Sequence, residues 1–85
     1  MLDKLIDEGA KVRQSCIHGS GYEAYMTGED YEKWISKGIL YMEKEHPKET
    51  LTVKFIKASE TAVGNGPEYF DKMMGILKAL KEYEE

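Results

Sequence analysis

The chain has 85 residues, 41% of them apolar and 33% charged, with 16 carboxylates against 12 basic residues and a net charge of −4. A chain this short closes one core and has little left over for a deep catalytic cavity. Its single arginine, Arg13, and lysines dispersed among carboxylates do not make the clustered basic face that long nucleic acids require.

One cysteine, Cys16, rules out an internal disulfide. The start, Met1-Leu2-Asp3-Lys4, has no basic leader region, and no apolar run approaches the roughly 18 residues of a membrane span. These features point to a single helical domain over residues 1–85, cytoplasmic and without a membrane partner.

Leu2 to Cys16 reads as the first helix, because Leu2, Leu5, Ile6, Val12 and Cys16 fall at helical spacing. Gly9 lies on the same stripe. It weakens a helix by about 1 kcal/mol relative to alanine, so its expected role is to let another element approach closely. The run from His18 to Trp34 follows, with Gly19, Gly21 and Gly28 interleaved with Tyr22, Tyr25 and Tyr31. Residues 17–27 are expected to form a long Gly/Tyr-rich loop. A loop this flexible must dock its rings on its own core or on a ligand to offset the entropy of ordering.

The second helix is expected to start after Thr27, where Thr27-x-x-Asp30 has the form of a capping box. Tyr31, Trp34, Ile35, Gly38, Ile39 and Met42 trace one face, and Glu29 with Lys33 adds a favourable i,i+4 pair. Pro47 ends the helix near His46. Residues 50–63 carry two patterns. Leu51-Thr52-Val53-Lys54-Phe55 alternates like a strand, whereas Leu51, Phe55, Ala58 or Ser59, and Ala62 suit a helix. No second segment alternates to pair with it, so a helix is expected.

Gly64-Asn65-Gly66-Pro67 punctuates the chain. Gly64 ends the third helix in the left-handed region, Asn65 or Gly66 caps the next, and Pro67 takes its first position. The last helix then runs to about Tyr83 and carries two overlapping seams. One is Phe70, Met73, Met74, Leu77 and Leu80; the other is Tyr69, Met73, Ile76, Leu80 and Tyr83. One buried stripe does not need both. Either this helix lies centrally or its second seam is an interface, and a homo-oligomer is expected. The fold expected is all-α, a compact four-helix bundle with the long loop between helices 1 and 2.

Chemistry is sparse. Cys16-Ile17-His18 does not make a nucleophile and base, since residues two apart on a helix do not face each other and Cys16 continues an apolar stripe. His18-Gly19-Ser20-Gly21 lacks the strand–turn–helix frame of an anion-cradling loop. The helix starts at Glu29-Asp30 and Glu68 already hold carboxylates that repel an anion. Cys16, His18 and His46 lack the paired spacing of a zinc site. No catalytic residue, metal or cofactor is expected.

The aromatic group Tyr22, Tyr25, Tyr31, Trp34 and Tyr41 allows two readings. Aromatic stripes at helical spacing pack inward, with Tyr22 and Tyr25 folded over the core. Alternatively Tyr22, Tyr25 and Trp34 wall a pocket in which Arg13 and His18 meet a phosphate or carboxylate. Rings of this kind stack on a nucleobase for about 1–3 kcal/mol each.

The pattern Leu5-Ile6-Asp7-Glu8-Gly9, then Gly28-x-x-Tyr31-x-x-Trp34, then Phe55, then Gly64-Asn65-Gly66-x-x-Tyr69-Phe70 through Gly75-Ile76-Leu77-Lys78-Ala79-Leu80 is similar to small helical modules. Such modules stand at the N-termini of some bacterial anti-phage defence proteins and occur as short phage or prophage proteins. The resemblance implies a cytosolic binding role in phage–host conflict. Without the effector domain of the fused versions, such a chain is expected to act by binding alone. The sequence thus supports two readings. One is a self-associating protein that captures a nucleotide-like small molecule, an immune signal. The other is a module that presents the apolar faces of its last helix to a protein partner.

Overall fold

The helical spacing of four segments is realised as four helices in a computed structural model that describes residues 1–84. They are α1 (Leu2–Cys16), α2 (Glu29–Glu45), α3 (Thr50–Ala62) and α4 (Glu68–Glu84). Glu85, the end of the acidic tail, lies outside the described residues. The principal packing partners close a ring: α1 on α2, α2 on α3, α3 on α4, and α4 on α1. None of the helices is long and apolar enough to cross a membrane, among the described residues.

An aromatic cluster fills the ring. Tyr31 and Trp34 from α2, Phe55 from α3 and Phe70 from α4 are buried together. Trp34 lies 5.0 Å from Phe70 and 6.4 Å from Phe55 between ring centroids, and Tyr31 lies 6.1 Å from Phe70. Fully burying a large apolar side chain contributes about 1.5–3 kcal/mol, so these rings and the surrounding Leu5, Met42, Met73 and Leu77 dominate the stability. Two glycines make this packing possible. A Cβ on Gly9 would meet the Met74 methyl and lie 3.0 Å from the Trp34 ring, and one on Gly38 would lie 2.5 Å from Phe55 Cζ.

Residues 17–27 are not the irregular loop that their composition suggests. Ile17–His18 (β1) and Tyr25–Met26 (β2) pair antiparallel, Ile17 opposite Met26 and His18 opposite Tyr25, with a 3₁₀ turn at Gly21–Glu23 between them. The fold is therefore four helices with a minimal ribbon rather than purely α. The physical reason lies outside the segment. Met26 N–H donates to the Asn65 carbonyl at 2.9 Å and Gly64 N–H donates back to the Met26 carbonyl at 2.8 Å, so the α3–α4 connection acts as a further edge. The Met26 side chain is fully buried beneath it.

The ends of the helices also differ from the expected pattern. Thr27 does not cap α2; its N–H donates to the Cys16 carbonyl at 3.1 Å, extending the ribbon. Gly28 takes the cap position instead, at φ 138°, a conformation costly for any other residue. Gly64 is left-handed at φ 84°, as its place after α3 suggests. Asn65 serves the helix behind it, its Nδ2 donating to the Thr61 carbonyl at 2.6 Å. The Pro67 carbonyl accepts the Asp71 N–H at 2.9 Å, which puts Pro67 one position ahead of α4 rather than in its first turn.

Candidate functional site

The residues expected to form a ligand pocket do not share one cavity. Trp34 is 2% exposed, and its Nε1–H donates to the Leu5 carbonyl at 2.8 Å, so the indole is a core strut; it reaches only a depression of about 220 Å³ beside Lys11 and Lys33, which none of the other four residues lines. Arg13 is occupied by a two-pronged pair with Asp71 of α4, Nε to Oδ1 at 3.1 Å and Nη2 to Oδ2 at 3.4 Å. His18 and Tyr25 face each other across the ribbon with ring centroids 5.2 Å apart, and Tyr25 is 43% exposed. Tyr22 stands fully exposed on the 3₁₀ turn. Neither the lid nor the pocket wall is formed. The hairpin holds its base down through Met26 and leaves its rings in solvent.

The two seams of α4 separate cleanly. Phe70, Met73, Met74, Leu77 and Leu80 are all buried against α1 and α3. Met73 and Leu80, expected in the oligomer seam as well, are therefore buried within this chain. Tyr69 and Ile76 are half-buried, and Tyr83 is 89% exposed. The stripe left facing outward is Tyr69, Lys72, Ile76, Ala79 and Tyr83, stepping by three and four.

Beside that stripe lies an open groove of about 580 Å³ between α3 and α4. Its floor is Leu51 and Ala58 from α3 with Ile76 and Ala79 from α4, and Tyr69 with Thr61 borders one part of it. Lys54, Lys57 and Lys72 also line it, and no carboxylate does. Among the described residues none of these three lysines is ion-paired. The Lys72 ammonium sits 5.6 Å above the Tyr69 ring, a cation–π contact at the rim. In a chain with more acids than bases this is a locally cationic surface with an apolar floor.

A second depression, about 770 Å³, lies among α1, α2 and the end of α4, with Leu2, Leu40 and Tyr41 in its lining. Its charges are of both signs, and two pairs of them meet: Lys37 Nζ bonds Glu8 Oε2 at 3.0 Å, and Lys81 pairs with Asp3. Nearby, the His46 ring holds Glu49 at 3.0 Å on Nδ1 and faces Glu84 at 3.4 Å on Nε2. These contacts fasten elements to one another, and the lining mixes acids with bases, unlike the α3–α4 groove.

The perturbed titrations are structural. Burial, then the charges of Asp71 and Cys16, push the Tyr31 phenol up to about 12. Burial followed by Glu84 and Glu45 raises Tyr41. A hydrogen bond and the charge of Lys81 lower Asp3. None of these groups converges with a nucleophile or an acid–base partner on an open cavity, the arrangement that catalysis needs. Among the described residues no three His, Cys, Asp or Glu side chains gather as metal ligands. Comparison with known protein families, curated proteins and solved structures finds no match to this chain.

Proposed function

We propose that this chain is a non-catalytic protein-interaction module whose working surface is the groove between α3 and α4. The observation that carries the reading is the outward stripe of α4, where Tyr69 and Ile76 pack on the core with one side and line an open groove with the other, and Tyr83 is exposed, although every residue of the neighbouring seam is buried. Small folded chains keep few contiguous apolar patches without a use for them, and an apolar groove between two helices is a common receptor for a third. In the phage–host setting that the resemblance implies, the occupant would be a host or phage protein.

The test is a nuclear magnetic resonance titration of the labelled chain with amphipathic helical peptides of varied charge. Amide shifts should change over residues 51–61 and 69–79, and Ala79→Glu, at an exposed position in the groove lining, should remove the change while leaving the fold intact. If no peptide moves those amides, the reading fails.

A second reading, capture of a nucleotide-like molecule, is favoured by the solvent-facing rings of His18, Tyr22 and Tyr25. Ligand at about 100 times its dissociation constant adds roughly 2.7 kcal/mol. A nucleotide panel that raises the melting temperature by ten degrees or so would put that reading ahead; for a domain of this size each kcal/mol is worth about 4–8 °C.

A further inference from the structure

We propose that the α3–α4 groove receives an amphipathic helix of a different protein, one that carries Asp or Glu along the edges of its apolar face; this rests on the interaction-module reading. The charge of the rim comes first. Lys54, Lys57 and Lys72 surround an apolar floor with no carboxylate among the lining residues, and none of the three is neutralised within the described chain. Some cations elsewhere on this net-negative molecule do meet carboxylates, Lys37 with Glu8, Arg13 with Asp71 and Lys81 with Asp3; what sets the groove apart is that its lining holds three lysines and no carboxylate. A cationic rim left unpaired steers an acidic partner and repels a basic one.

The backbone of the occupant follows from the floor. Leu51, Ala58, Ile76 and Ala79 offer no hydrogen bonds through their side chains. An extended segment laid there would leave its own N–H and C=O groups unpaired, at a cost comparable to lost hydrogen bonds. A helix satisfies those groups internally and seats an apolar ridge between two others.

Gly75 supplies an independent sign. Gly9 and Gly38 are required by contacts inside the molecule, but a Cβ on Gly75 would meet nothing within 4 Å. A mid-helix glycine with no internal reason weakens α4, and it does so where α4 lines the groove, so that its bare backbone admits a neighbouring helix at short range.

A second copy of the chain is disfavoured as the occupant. A two-fold dimer sets the same patch against itself. Three lysines without a carboxylate would then face three more, and like charges across an interface are costly.

The experiment uses two dye-labelled synthetic helical peptides with an identical leucine face, one flanked by Glu and one by Lys, titrated onto the intact chain by fluorescence anisotropy. The Glu-flanked peptide should bind about tenfold more tightly or better, with the gap narrowing as salt rises. The exposed triple change Lys54→Glu, Lys57→Glu and Lys72→Glu should reverse that preference, with the helical circular dichroism unchanged. Gly75→Ala should raise the melting temperature yet weaken the Glu-flanked peptide, a combination that a purely structural glycine would not produce.

Equal binding of both peptides, unaltered by the triple change, overturns the acidic-partner proposal while the interaction-module reading stands. Failure of both peptides, with the α3 and α4 amides unmoved, overturns both. A dimer in sedimentation that Ala79→Glu dissociates makes the second copy the occupant and overturns the proposal of a different protein.

Discussion

Replacing Tyr31 with phenylalanine should stabilise this protein. The ring is fully buried between Trp34 and Phe70, but its hydroxyl makes no hydrogen bond to any described residue. A hydroxyl taken from water without a partner costs about 1–3 kcal/mol. Phenylalanine keeps the ring contacts and removes that cost. The space left by one oxygen, some 10–15 Å³, returns only about 0.3 kcal/mol at the usual cavity coefficient. The expected gain is about 1 kcal/mol, or about 4–8 °C in melting temperature for a domain of this size.

A second signature lies in the alkaline range. Burial first, then the charges of Asp71 and Cys16, raise the native phenol to about 12, whereas an unfolded tyrosine ionises near about 10. Below the lower value both states hold the proton and stability does not change. Between the two values the unfolded chain ionises and the native state does not. Stability then falls as pH rises, by about 1.4 kcal/mol per pH unit and about 2–3 kcal/mol in all. Urea titrations of both proteins across neutral and alkaline pH measure the difference, because the other tyrosines are common to both. If Tyr31→Phe loses more than about 1 kcal/mol at neutral pH, or if both proteins share the same alkaline decline, the hydroxyl has a partner and the reasoning is wrong.

The helical glycines should divide by sign. Gly38→Ala places a methyl 2.5 Å from Phe55 Cζ, inside a ring cluster that cannot yield, and should cost about 1–3 kcal/mol in chemical denaturation. Gly75→Ala points into open space and should gain about 0.5–1 kcal/mol. Trp34→Phe removes the 2.8 Å bond to the Leu5 carbonyl together with part of the core volume, and should cost about 2–3 kcal/mol by the same measurement. Lys81 lowers the Asp3 carboxyl through a hydrogen bond and its charge. A carboxyl lowered in the native state contributes above its unfolded value, and that contribution disappears as pH falls through the native one. Lys81→Met should return the Asp3 midpoint, followed by carbon-detected resonance, to the ordinary carboxylate range; an unmoved midpoint would show that the pair does not form in solution.

The helices were legible in the sequence because their signals are local. Leu2–Cys16 and Glu29–Glu45 carry the 3.6-residue period, and Pro47 and Gly64 mark breaks that backbone sterics impose, whereas Thr50–Ala62 also alternates like a strand and reads as a helix only because no other segment could pair with it. The ribbon at residues 17–18 and 25–26 was not legible, because two paired residues per strand leave no alternation to read and the stabilising edge comes from Gly64 and Asn65, some forty residues on. Trp34 and Arg13 look like ligand groups when their partners are unknown. The Leu5 carbonyl and Asp71 that occupy them are distant in the chain. On α4 the apolar periodicity located two seams, but Met73 and Leu80 belong to both, and only packing against α1 and α3 assigns them inward. The outward stripe includes Lys72, and its lysine neighbours Lys54 and Lys57 come from another helix. A hydrophobicity pattern passes over lysines, although their spacing of three on α3 was there to be seen.

Glycine placement offers a way to tell a packed surface from a presented one. A glycine within a helix weakens it by about 1 kcal/mol, so each requires a compensating contact. For Gly9 the compensation is the Trp34 ring and the Met74 methyl, and for Gly38 it is Phe55; the aromatic cluster could not close with side chains at either place. Gly75 has no such contact, yet it lines a groove that holds three lysines without an ion pair within the described chain and no carboxylate. If its compensation comes from another molecule, stability and binding must respond in opposite senses to the same added methyl. That opposition separates a presented helix face from an idle one. An alanine at residue 75 that improves both stability and peptide affinity would remove the reason for assigning this face to a partner.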